Sequence, residues 1–156
     1  MQHKLQATDS LRVALEMERR GHQLYVRAQS LTQDKALQSL LAKLAEDEAS
    51  HFFDFQAMLT AWEPASASTE TLAMAGAMAA DFFYPGGLMQ TAMEGALSSV
   101  PAMLEAAIAS ERDAIAFYQK LTENADFSQR PTILRILQEE HRHLLDLTAQ
   151  YTACTP

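Results

Sequence analysis

Six residues in this chain carry chemistry and stand where a helix should present its hydrophobic core: Glu18, Glu48, His51, Glu111, Glu140 and His143. The first stretch reads Leu11, Ala14, Glu18, Gly21, Tyr25, Ala28, and a later one reads Leu104, Ala107, Glu111, Ala114, Tyr118, Leu121. Steps of three and four residues keep each set on one helical face, so each glutamate lies in an otherwise apolar or small-residue stripe. Two further stretches, Leu41, Leu44, Glu48, His51, Phe55, Met58 and Ile133, Ile136, Glu140, His143, Leu147, hold a carboxylate and an imidazole side by side at i, i+3. Buried carboxylates without partners cost several kcal/mol or neutralise themselves, so this many in one core call for a cation. Four carboxylates and two imidazoles are enough donors for a pair of metal ions, and an oxygen- and nitrogen-rich set without thiolate suits iron or manganese better than structural zinc. An unmetallated polar network is the rival reading.

The elements that must position these groups are four helices, expected over about 10–31, 34–62, 98–124 and 130–151. Asp34 is a good N-cap, Ser98 or Ser99 opens the third helix with Pro101 in its first turn, and Pro131 opens the fourth. Both short connections make antiparallel hairpins. Glu18 lies about 15 residues before the first turn and Glu48 about 15 after it, so at about 1.5 Å per residue the two meet at one height. Glu18 to Glu48 spans 30 positions and Glu111 to Glu140 spans 29, as though one hairpin were used twice. The crossover of residues 62–98 is long enough to travel the bundle and leave helices 2 and 3 parallel, which is the ferritin-like arrangement of an all-α four-helix bundle. Within it, residues 64–68 read as loop and 69–83 as a short Ala- and Met-rich helix before a Tyr84-Pro85-Gly86-Gly87 turn. Its apolar residues Leu72, Met74, Met78, Phe82 and Phe83 need cover, from the bundle itself or from a second copy in a homodimer.

Around the six donors, Tyr25 and Tyr118 follow a ligand glutamate by two turns, where a phenol can hydrogen-bond a carboxylate or simply fill the core. Asp54 and Asp146 each follow a histidine by three residues and are candidates to accept its second N–H. Gly21 and Ala114 leave space beside the metals for a small oxidant, with close helix packing as the rival. His3, His22 and His141 read as surface or rim residues.

With 156 residues, 48% of them hydrophobic, the chain is expected to be a single domain spanning 1–156. Net charge is −8 and the cations are scattered, so no nucleic-acid surface is expected. The single cysteine, Cys154, excludes an internal disulfide and any Cys-x-x-Cys module, and is expected in an exposed tail. No run approaches the ~20 apolar residues of a membrane span and the N-terminus has no apolar signal region, so no membrane and a cytoplasmic location are expected.

The segment Ala14 to Tyr25, Glu48-Ala49-Ser50-His51, Ala107 to Glu111 with Phe117-Tyr118, and Glu140-His141-Arg142-His143 resembles rubrerythrin-like members of the ferritin-like di-iron superfamily over about residues 10–150. The resemblance implies a non-haem site of two iron ions, with manganese as the alternative and zinc able to substitute in a crystal. Its ligands would be Glu18, Glu48, His51, Glu111, Glu140 and His143, with Glu48 and Glu140 bridging. It implies an oxidoreductase that reduces hydrogen peroxide or dioxygen; oxidative iron handling is a second function, and a metal-stabilised interaction module without turnover is a third. The chain departs from rubrerythrins in lacking their two Cys-x-x-Cys pairs, so the electron donor must be external, and in having Ala114 where they carry a further glutamate. The symmetric ligand set is closer to bacterioferritin, but Ala49 stands where a haem-ligating methionine would be and no fifth helix is expected.

Overall fold

The computed structural model describes residues 7–62 and 94–155, and among them it is all helical. Four long helices carry the chain: α1 (Ala7–Ala28), α2 (Lys35–Trp62), α3 (Val100–Asn124) and α4 (Arg130–Cys154). The crossover readings, from the loop at 64–68 to the turn at 84–87, lie outside the described residues, as does His3.

Local chemistry sets the helix ends. A 3-10 turn at Gln29–Leu31 closes α1, tightening the last turn that the sequence reads as continuous helix. Asp34 Oδ1 then accepts the backbone N–H of Ala36 at 2.8 Å, capping the start of α2. Ser99 Oγ accepts from Ala102 N at 3.2 Å, with Pro101 in the first turn of α3. At its far end, α4 runs past the expected stop near Tyr151 because no residue there breaks a helix, and Thr155 N finally bonds Tyr151 O at 3.0 Å.

Helix α1 packs along α2 and α3 along α4, while α1 also meets α3 and α2 meets α4. Directions follow from which residues meet. Tyr118 reaches Glu18 while Tyr25 reaches Glu111, so α1 and α3 run in opposite senses. His51 meets Glu139 while Asp47 meets His143, which makes α2 and α4 opposed as well. With α1 antiparallel to α2 through their short turn, α2 and α3 run parallel.

Two apolar clusters fill the space between the helices. One holds Leu24 of α1, Leu41 and Leu44 of α2, Leu104 of α3 and Leu147 of α4; the other holds Leu11, Phe55, Leu121, Ile133 and Ile136. Leu41, Leu44, Phe55, Ile133 and Ile136 are fully buried, each contributing about 1.5–3 kcal/mol of hydrophobic stabilisation. On every helix the inward Glu, or Glu and His, falls between the stretch that enters one cluster and the stretch that enters the other. The donors therefore form a polar layer sealed by hydrocarbon on both sides. No helix among the described residues is long and apolar enough to cross a membrane.

Candidate metal centre

All six sequence-predicted donors are buried, from 0% exposure for His51 to 6% for Glu48. They fall into two groups whose ligand atoms lie within 4.8 Å of one another: Glu18, Glu48, His51, Glu140 and Glu48, Glu111, Glu140, His143. Glu48 and Glu140 belong to both. His51 Nδ1 stands 3.0 Å from Glu140 Oε1 and 3.4 Å from Glu18 Oε2. His143 Nδ1 stands 3.3 Å from Glu140 Oε2, 3.4 Å from Glu48 Oε1 and 3.7 Å from Glu111 Oε1. The two imidazoles lie nearly parallel, with centroids 5.8 Å apart.

Glu18 Oε2, Glu48 Oε1, both oxygens of Glu140 and the Nδ1 atoms of His51 and His143 are buried without a hydrogen-bond partner, and all face this centre. Buried polar atoms are nearly always satisfied, so a cluster of orphans converging on one point marks a place built for a cation. The donor types agree: two divalent ions balance four carboxylates, leaving both imidazoles neutral. Thus the residues fit a metal pair.

Neighbouring side chains hold the donors in place. Tyr118 donates to Glu18 Oε1 at 2.5 Å and Tyr25 donates to Glu111 Oε1, so each phenol braces a glutamate of the opposite hairpin. The rival reading of these tyrosines as plain core residues gives way to a double role, since both are also fully buried. His51 Nε2 bonds Glu139 Oε2 at 2.7 Å and His143 Nε2 bonds Asp47 Oδ2 at 3.1 Å. These bonds fix both rings with Nδ1 inward.

Asp54 and Asp146 do not take that role. Asp54 pairs with Arg135, and Asp146 is exposed with no ion pair or hydrogen bond among the described residues. Each imidazole reaches across to the facing helix, so its partner cannot come from its own. Asp47 and Glu139 were missed because they sit beside core positions rather than on them; the signal available was an acid immediately before each Glu-x-x-His, in Asp47-Glu48 and Glu139-Glu140.

Gly21 does leave space, but the space is filled. A Cβ there would lie 2.1 Å from Glu48 Oε2 and 2.9 Å from its Cδ, so the missing side chain seats the Glu48 carboxylate rather than an oxidant. Its counterpart Ala114 packs in the second apolar cluster. Gly21→Val is expected to displace Glu48 and destabilise the chelator-treated protein by about 1–3 kcal/mol, as overpacked cores do. Gly21→Ala should cost less, because alanine restores about 1 kcal/mol of helix propensity. Thermal melts of both variants in chelator check this; a Gly21→Val protein melting with the wild type would show that Glu48 needs no such gap.

With no cation present, crowding dominates the electrostatics. Burial first, then repulsion from Glu140, raises Glu111 to about 8 despite the nearby His143. Burial and the Glu140 charge raise Glu18, and burial with Glu18 and Glu140 raises Glu48 further. Burial alone would depress His51, but the adjoining Glu140 and Glu18 raise it to about 11. His143 is raised in the same way by Glu111, Glu140 and Glu48 against its burial. Glu140 moves down despite burial, because both imidazoles face it. Of the other histidines, His22 is half-buried with Nδ1 2.8 Å from Ala45 O, and His141 is exposed. Cys154 is free and exposed.

Searches of protein-family models, of curated proteins and of solved structures return no match to this chain.

Proposed function

We propose that the chain is a di-metal carboxylate oxidoreductase. More narrowly, it is a ferritin-like, rubrerythrin-like protein without a rubredoxin module, which binds two iron ions and reduces hydrogen peroxide, or dioxygen, with electrons from an external donor. The observation that carries this reading is the pair of four-residue donor groups sharing Glu48 and Glu140, lined with buried atoms that have no partner.

When bound, the iron pair supplies the Lewis acidity and the two electrons that cleavage of an O–O bond requires. The chain supplies everything around it. Glu48 and Glu140 would be shared by both ions, and Glu18 with His51 and Glu111 with His143 would complete the two ends. The apolar clusters on either side exclude water, which strengthens the electrostatic hold of the carboxylates and confines the oxidant. Burial first, then the facing carboxylates, keep the Tyr25 and Tyr118 phenols well above their ordinary pKa. They therefore remain protonated and hold Glu111 and Glu18 by one oxygen each, in Glu18 leaving the other oxygen, Oε2, to the centre. Reduction of peroxide to two waters also consumes two protons, which must reach this sealed layer from solvent.

The test is anaerobic protein loaded with Fe(II), mixed with peroxide in a stopped-flow instrument. Rapid oxidation of the bound iron, followed by repeated turnover when a reductase system is added, is the expected result. Iron uptake continuing well beyond two ions per chain would assign oxidative iron handling instead. Inertness toward both peroxide and dioxygen, with metal raising only the melting temperature, would leave an interaction module.

A further inference from the structure

The two halves of the centre have matching donors but unequal outer supports. On one side Glu139, which holds His51 Nε2 at 2.7 Å, is itself gripped through both oxygens by Arg135 Nη1, at 3.1 and 3.3 Å. Arg135 Nη2 continues across to Asp54 on α2. One guanidinium thus ties α4 to the helix that carries His51. On the other side His143 Nε2 meets Asp47 at the longer distance of 3.1 Å, and Asp47 is held by Lys43 Nζ at 2.5 Å, one turn back on the same helix. The hairpin repeat aligns Lys43 with Arg135, Asp47 with Glu139 and Asp54 with Asp146, yet Asp146 makes no such bridge among the described residues. A planar guanidinium presents its donors in a fixed geometry, and here it reaches two acids at once; an ammonium on a flexible stem is a rotatable point charge that orients its partner less.

We infer that the two metal positions are inequivalent: the one formed by Glu18 and His51 with the shared Glu48 and Glu140 binds the first ion, and Arg135 is the positioning residue that makes it the tighter. The position at Glu111 and His143, whose imidazole is steadied only by an Asp and a Lys on one helix, takes the second ion and exchanges it faster. A ligand held in its binding orientation loses less freedom on metal capture, and outer partners of metal-bound histidines commonly alter affinity by about 10–100-fold.

This inference rests on the metal reading above, and Co(II) titration followed by visible absorption and calorimetry separates the two. Arg135→Gln is expected to weaken the first binding step by roughly tenfold while the second is unchanged. Lys43→Gln should leave the first step unchanged. His143→Ala should retain a first binding step, whereas His51→Ala should lose it. Arg135 and Lys43 are both well exposed, so neither substitution threatens the core. Equal effects of Arg135→Gln and Lys43→Gln, no effect of Arg135→Gln, or loss of the first step in His143→Ala would each overturn the inequivalence while leaving two bound ions. Wild-type protein that binds no Co(II) would overturn the metal reading itself.

Discussion

Replacing Glu140 with glutamine is expected to empty both metal positions at once, whereas replacing Glu111 or Glu18 should empty only one. The asymmetry follows from membership: Glu140 offers oxygens to both donor groups, and its two oxygens lie 3.0 and 3.3 Å from the two inward imidazole nitrogens. It is also the one inward carboxylate whose ionised form the site favours, held down by His143 and His51 against the cost of burial. Removing its charge leaves each ion with three donors and less neutralisation. Metal analysis after gel filtration should find close to two ions per chain in the wild type, about one in Glu111→Gln and Glu18→Gln, and near none in Glu140→Gln. Glu48→Gln belongs with Glu140→Gln. A Glu140→Gln protein that keeps one tightly held ion would show that the two positions do not depend on a common carboxylate.

The second large effect is a reversal in how stability depends on pH. Without metal, Glu111 titrates near 8 in the folded chain against an ordinary 4.5, and His51 near 11 against 6.5; Glu18, Glu48 and His143 are raised in the same direction. Groups with a raised folded pKa bind protons more tightly when folded. Their contribution to stability is complete below the unfolded value and is lost as pH climbs toward the folded one. The carboxyl groups begin to lose theirs above about pH 4.5, Glu111 until about 8, and the imidazoles join above about 6.5, His51 until about 11, so the chelator-treated protein should melt at progressively lower temperature as pH rises, most steeply between about 6.5 and 8. Metal binding displaces those same protons, so the loaded protein should become more stable over the same range. Calorimetric titration near neutral pH should show net proton release, seen as a binding enthalpy that changes with the buffer. Parallel melting curves for loaded and chelated protein across that range would contradict the assignment of the acids and imidazoles as metal donors.

What the sequence showed and what it hid divide along one physical line. Glu18, Glu48, His51, Glu111, Glu140 and His143 were legible because they break an apolar stripe at helical spacing, and a buried charge is too costly to be incidental. Helix starts at Asp34 and Ser99 were legible because capping is a local interaction between neighbours. The supports of the histidines were not. Asp47 and Glu139 are 28% and 24% exposed, and positions of that kind carry acids on most soluble helices whether or not they touch anything. Their role appears only when α2 and α4 are laid side by side, since it is the facing helix that each ring addresses. Arg135 illustrates the same limit, because its reach to Asp54 is a contact between residues 81 positions apart. Gly21 was legible as a small residue with a purpose, but the group that fills its gap comes from α2, and no pattern within α1 names it.

The crosswise pattern of the bracing has a consequence for how the chain holds together. Each donor group takes three residues from one hairpin and a single carboxylate from the other, and each tyrosine brace likewise spans both. Neither half of the polypeptide contains a finished coordination sphere. An ion captured here would be a rivet through two separately folded-back lengths of chain, so prising the halves apart would mean surrendering whatever metal the centre holds. Loss of a single bracing contact at the surface loosens one end of the joint, while loss of either common carboxylate undoes it altogether.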